Sequence, residues 1–282
     1  MKREKYNPNK RINNKIGLYA FLGIMSLVFI CPMLFTIISS LKQNNEIFSN
    51  PFSLPKVFRY ENYIVAWKEA NMSKYFLNSI MISLATVIIL AIVASMAAYV
   101  LARFDFKVNK YISIFFLLGM MIPMHTILVP VSYLIGRLGL KNNLVALVLL
   151  YVAFSLPFSI FVLTNFMKGI NLSLEEAAII DGAGYFQIYT RIILPLSVPA
   201  ISTISIFNFL GAWNNILFPL LFINDDRLKP ISLGLLNFSG ERGSEYGPLM
   251  AAIVITVVVP LIIYLLFQEK VEGGLAAGAV KE

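Results

Sequence analysis

Six stretches of this chain contain no Asp, Glu, Lys or Arg: 16–41, 75–102, 111–136, 142–167, 192–224 and 246–268. Each is longer than the roughly 20 apolar residues a helix needs to cross a hydrocarbon core about 30 Å thick. Backbone groups in lipid must be paired within their own segment, so runs of this length predict helices. The short alternating segments of a membrane barrel are absent. The pattern predicts an all-α membrane protein with six transmembrane helices.

Composition agrees, with 58% hydrophobic and 13% charged residues, against about 25% charged in soluble domains. The net charge of +8 is informative through its placement. Lys2, Arg3, Lys5, Lys10, Arg11 and Lys15 crowd the first fifteen residues, opposed by Glu4 alone. The positive-inside rule puts this tail in the cytoplasm, and six crossings return the carboxyl terminus there. Linkers 41–74, 137–141 and 223–247 then face out, and 103–110 and 168–195 face in. The "RFDFKVNK" linker at 103–110 has the bases of an inside loop. Arg137 and Lys141, with no acid between them, run against the rule. The chain divides into a basic tail at 1–16, a first transmembrane helix with its outer linker at 17–74, a membrane core at 75–267, and a tail at 268–282. The stretch "ENYIVAWKEANMSKYF" in the outer linker suits either a helix along the membrane surface or an ordered loop.

Several chemistries are disfavoured. No basic stripe interleaved with aromatics is present, so nucleic acid is not an expected partner. The spans lack the ionisable groups with which coupled carriers handle protons or sodium. His125, the sole histidine, stands between Pro123 and Pro130 and has no second ligand, so no metal is expected and packing or pore lining is its ordinary role. Cys31 allows no intrachain disulfide and is expected to pack within its span. No Gly-x-x-x-x-Gly-Lys-Ser/Thr loop cradles ATP phosphates, so no cofactor is expected on this chain. Trp213, Asn214 and Asn215, inside the 192–224 run, are candidates for lining a pathway or for hydrogen bonds between helices. Pro123, Pro130 and Pro157 are candidate kinks.

The inward linker is the informative one. It reads "SLEEAAIIDGAGYFQIYTRIILP" from Ser173 to Pro195. Ser173 with Glu176 predicts a capping box and a helix over 174–181. Gly182, Ala183 and Gly184 break it, because glycine enters left-handed backbone readily. A second short helix over 185–192 follows, and Pro195 opens the next span. Two short helices are too short to stand alone and need a docking partner. Ala177, Ala178 and Ala183 give such a partner close approach, and Glu175, Glu176 and Asp181 offer it charge.

This stretch resembles the EAA loop of permeases in ABC importers. Glu176, Ala177, Ala178, Gly182, Ile192, Leu194 and Pro195 match that pattern at every position. "FLNSI" at 76–80, "AAYVLARFDF" at 97–106, "MIPMHTILVP" at 121–130, "GLKN" at 139–142, "LPFSIFVL" at 156–163, "AWNN" at 212–215 and "GPLMAA" at 247–252 are similar to the carbohydrate branch. So is the tail from Gln268, apart from Glu269, Lys270 and Glu282. The resemblance implies the type I importer permease fold. It implies a heterodimer with a second permease, a solute-binding protein docking outside, and a cytoplasmic ATPase dimer that binds ATP and Mg. On this reading Glu176, Ala177, Ala178, Asp181 and Gly182, flanked by Glu175 and Ala183, couple ATPase closure to rocking of the spans, and residues 268–282 reach the ATPase. The expected localisation is multi-pass in a prokaryotic plasma membrane. The expected cargo is a sugar, preferred over glycerol 3-phosphate because the spans carry no basic groups; a secondary carrier is the alternative from another class.

Overall fold

The computed structural model describes residues 8–241 and 245–279. Lys2, Arg3, Glu4, Lys5 and Glu282, which figure in the tail expectations, lie outside the described residues. Helices follow one another as α1 (Pro8–Ser39), α2 (Asn44–Ser49), α3 (Glu61–Ile64), α4 (Met72–Arg103), α5 (Asn109–Met121), α6 (Leu128–Arg137), α7 (Leu144–Lys168), α8 (Ser173–Ile180), α9 (Tyr185–Ile188), α10 (Leu194–Leu196), α11 (Val198–Asn214), α12 (Leu217–Phe222), α13 (Ile231–Glu241) and α14 (Tyr246–Ala279).

Among the described residues, four helices are long and apolar enough to cross a membrane: Gly17–Ser39, Met72–Arg103, Leu144–Lys168 and Tyr246–Gln268. Counting two bent pairs as one span each gives six. The first pair, Asn109–Met121 with Met124–Arg137, turns by 90°. Pro123 causes the break: it removes a backbone donor and holds Ile122 in extended backbone, with ψ 115°. The second pair, Tyr185–Leu196 with Val198–Asn214, bends by 71° at Ser197, between Pro195 and Pro199. The 192–224 run is thus not one straight span. Pro195 lies inside the short arm instead of opening the helix, and α11 ends at Asn214.

Two compact units emerge, Met1–Ala70 with Phe238–Ile255, and Asn71–Asn237 with Thr256–Glu282. In the first, α1 exposes Leu18, Phe21, Leu27 and Phe29. Cys31 is exposed on this helix and lines a shallow pocket with Pro51 and Phe52, so the expected close packing of its thiol is not reached within this unit. The outer linker is an ordered structure. Lys42 is fully buried and donates to the carbonyls of Asn50 (2.9 Å) and Pro51 (3.0 Å). Asn62 donates to the carbonyls of Ser40 and Lys42. Gly247 approaches so closely that a Cβ there would sit 2.6 Å from the Asn62 amide nitrogen.

In the second unit, α4 and α7 pack along their length with α11 against both. One core cluster joins Ala94, Ala98 and Tyr99 of α4 to Ile160, Leu163 and Met167 of α7 and to Ala200 and Ile204 of α11. The other joins Ile82, Leu147, Tyr151 and Ala212. Late residues of α4 and α7 therefore meet early residues of α11. α4 and α7 run in the same direction and α11 runs the other way. This alternation brings linkers 103–110 and 168–195 to one end of the unit. It brings 137–143 and 223–230 to the other, as alternating crossings require. Pro157 sits within α7, and Gly119 of α5 packs on its ring, where a Cβ would lie 3.3 Å away.

Candidate functional site

The linker after α7 folds as two short arms joined at glycine. Asn171 starts the first arm: its Oδ1 accepts from the Ser173 amide at 3.1 Å. The predicted capping box of Ser173 and Glu176 does not form; Leu172 is the N-cap and makes no side-chain cap. The asparagine two residues ahead captures a free amide first, as Asx turns do. α8 ends at Asp181 and Gly182, whose φ is +81°. The Ala183 amide reaches back to the Ala178 carbonyl (2.9 Å) and the Gly182 amide to that of Ile179 (3.0 Å), the paired bonds of a Schellman ending. Gly184 begins the second arm. Its amide donates to Gln187 Oε1 at 3.2 Å, and the arm runs on through a π turn at Tyr189–Ile193 to Leu196.

One face of this element is fastened to the bundle. Arg103, the last residue of α4, pairs with Glu175 and donates from Nη2 to the Ile170 carbonyl at 2.9 Å. Both charged side chains are buried, 5% and 10% exposed. Glu175 therefore does not offer its charge to a partner as expected, because the end of α4 claims it first. Ala178 is buried too, leaving Ala177 as the exposed alanine of the pair. On the second arm, Ile188, Tyr189 and Ile193 enter the core, and Tyr189 OH lies 2.7 Å from Ser95 Oγ on α4.

The other face is open. Glu176, Ala177, Asp181 and Gly182 are exposed, and Ala183 is half-buried. The larger exposed side chains are apolar: Ile180 at 85%, Phe186 at 71%, Tyr185 and Ile179. Ile180 and Phe186 do not stand out in the sequence as site residues. The available signal was a pair of isoleucines and a phenylalanine inside an otherwise polar linker. Arg103 was also missed, since its partner lies 72 positions away.

The other candidates separate from this site. Trp213 is fully buried, stacks on Phe209 at 5.8 Å and donates from Nε1 to the Thr256 carbonyl at 3.2 Å. It packs the core. Asn215 ends α11 and accepts from the Phe218 amide at 3.1 Å, capping the next short helix. Asn214 is exposed at that helix end. The three stand at a break in the backbone, where terminal amides need partners, and not in the middle of a span. His125 lies exposed in the turn between the arms of the bent pair. Among the described residues, no group of three His, Cys, Asp or Glu is placed to hold a metal ion.

Residues 88–276 match the family model described as binding-protein-dependent transport system inner membrane component. The diacetylchitobiose uptake system permease protein of Streptomyces coelicolor is 38% identical over 265 residues, covering 93% of this chain and 88% of its own. The trehalose/maltose transport system permease protein of Thermococcus litoralis is 33% identical, covering 92% and 94%. Among solved structures, a chain of a bacterial ABC transporter involved in importing the acidic polysaccharide alginate superposes with a TM-score of 0.80 at 20% identity, over 95% of this chain and 99% of that one.

Proposed function

The chain belongs to the family of binding-protein-dependent transport system inner membrane components, and we propose that it is the permease subunit through which an ABC importer passes a sugar into the cytoplasm. Relatives named for diacetylchitobiose and for trehalose and maltose support a saccharide cargo. A second permease, a solute-binding protein outside and a cytoplasmic ATPase dimer complete the machine. ATP hydrolysis resides in the ATPase, and this chain is not an enzyme. We place the protein in a prokaryotic plasma membrane, with both termini and linkers 103–110 and 168–195 in the cytoplasm.

The observation that carries the coupling role is the two-faced element at Ser173–Leu196. A lever must be rigid toward the part it moves and exposed toward the part that drives it. The Arg103–Glu175 pair, the Tyr189–Ser95 contact and the Schellman ending supply the rigidity. Ile180 and Phe186, flanked by Glu176, Ala177 and Asp181, supply an apolar contact with a charged rim. That is the arrangement of an interface anchor. Replacing Ile180 and Phe186 together by Asp tests the role. Membrane insertion stays intact, the ATPase no longer co-purifies, and uptake is lost; unchanged co-purification and uptake would remove the lever assignment.

A further inference from the structure

At the end of the second unit opposite the coupling element, a cavity of about 750 Å³ opens beside α6. His125, Ser132, Tyr133, Arg137 and Lys141 line it together with Leu128, Val129 and Leu221. That volume falls within the range of small-molecule pockets.

Two cations, Arg137 and Lys141, line it. The Arg137 guanidinium lies over the Tyr133 ring, 4.6 Å from its centroid, which holds it in place by cation–π attraction. Lys141 folds back across Gly136, where an added Cβ would lie 3.4 Å from the lysine Cε. The turn between them is anchored: Asn142, at φ +54°, accepts from the amides of Asn224 and Asp225. No carboxylate lines the cavity. The nearest acids along the anchored loop are already engaged, Asp225 by a forked bond from Arg227 (3.1 and 2.8 Å) and Asp226 by Lys229. Hydrogen bonds from Arg227 lower the Asp225 carboxyl to about 2, so it stays ionised on its own partner. Among the described residues, Arg137 and Lys141 thus share a cavity with no counter-charge.

We propose that this cavity binds the phosphate of an anionic phospholipid headgroup, with the phosphate between Arg137 and Lys141 and the apolar part of the lipid along Leu128 and Val129. Two further observations favour a lipid. Val129 is 79% exposed beside the cavity, and Leu134 and Leu138 continue the exposed apolar surface around its basic end. Such a rim suits an occupant that is itself amphiphilic. In addition, Arg137 and Lys141 occupy an outward linker in the proposed orientation, where positive charge is disfavoured. A bound anion offsets that charge through charge-assisted hydrogen bonds. Free anionic solutes share the same chemistry and are separated from lipid by the test.

The importer complex, purified through a tag on this chain, is reconstituted with equal amounts of phosphatidylglycerol and phosphatidylcholine. Retained lipid is then counted by native mass spectrometry. The native complex is expected to keep phosphatidylglycerol over phosphatidylcholine, and the R137Q/K141Q variant to lose that retention at least tenfold. Lys110→Gln, a base outside the cavity, should leave it unchanged. If the double variant does not assemble, Ser132→Phe, which fills the cavity and keeps both cations, should expel the lipid equally. Equal phosphatidylglycerol retention in native and variant complexes overturns the proposal. Retention of added glycerol phosphate or glucuronate without any lipid also overturns it, and assigns the cavity to a solute.

Discussion

The two ends of the second unit solve the same problem with different chemistry. Both must hold irregular linkers to the helices α4, α7 and α11. At the end that carries Ser173–Leu196, the fastening is a buried ion pair, Arg103 with Glu175, backed by apolar packing of Ala178, Ile188 and Ile193. At the opposite end it is neutral. Asn78 donates to the carbonyls of Arg227 and Lys229, both at 3.0 Å. Ser79 Oγ accepts from the Ile231 amide at 2.7 Å, and Asn142 holds two amides of the 222–225 loop. A buried ion pair tolerates no loss of one partner, because the charge left behind is uncompensated. Amide-to-backbone bonds fail more gently, each contributing about 1 kcal/mol net. The end that carries Ser173–Leu196 is therefore fastened so that it keeps one geometry, and the opposite end keeps its loop in register through neutral bonds while the loop's own charges pair with one another.

That contrast can be broken most severely at Arg103. Arg103→Ala leaves Glu175 buried and unpaired and is expected to destabilise the fold by about 3–5 kcal/mol, measured as a lowered thermal unfolding midpoint in detergent. Uptake should fail with it, and loss of uptake without destabilisation would reassign Arg103 to direct contact with a partner. Gly182→Val forces a branched side chain to φ +81° and should cost about 1–3 kcal/mol, with the same assay. Asn78→Leu, at the opposite end, strands two carbonyls and should cost about 2 kcal/mol, while leaving co-purification of the ATPase unchanged. A loss of ATPase binding in that variant would show that the two ends are not independent. The finest distinction lies at the start of α8. Asn171→Ala should lose about 1 kcal/mol as a lost cap does, whereas Ser173→Ala should stay within about 0.5 kcal/mol.

Much of the architecture was legible because lipid imposes so strong a constraint. Runs without charge located five of the spans to within a few residues, whereas the 192–224 run began late and overran the end of α11 at Asn214; the spacing of Glu176, Ala177, Ala178 and Gly182 marked the two-armed linker. The bends were not legible as bends. Proline marks a possible kink, but the 90° and 71° angles depend on what the arms pack against. The capping residue was misassigned because Ser173 and Asn171 are both competent, and only backbone position decides which captures the amide. Glu175 and Glu176 look alike in sequence. One helical step sends the first toward Arg103 and the second toward solvent. Trp213, Asn214 and Asn215 looked like polar groups stranded within a span because the end of α11 was invisible. Once the helix stops there, their hydrogen bonds are ordinary end-capping and core contacts.

The central claim is that the exposed face around Ile180 meets a cytoplasmic ATPase. The direct measurement places a single cysteine there, Ile180→Cys in a Cys31→Ser background, and labels it with a membrane-impermeant maleimide. The account predicts no labelling in intact cells, strong labelling in inverted membrane vesicles stripped of the ATPase, and protection when the ATPase is restored. Labelling in intact cells, or equal labelling of the vesicles with and without the ATPase, would contradict it.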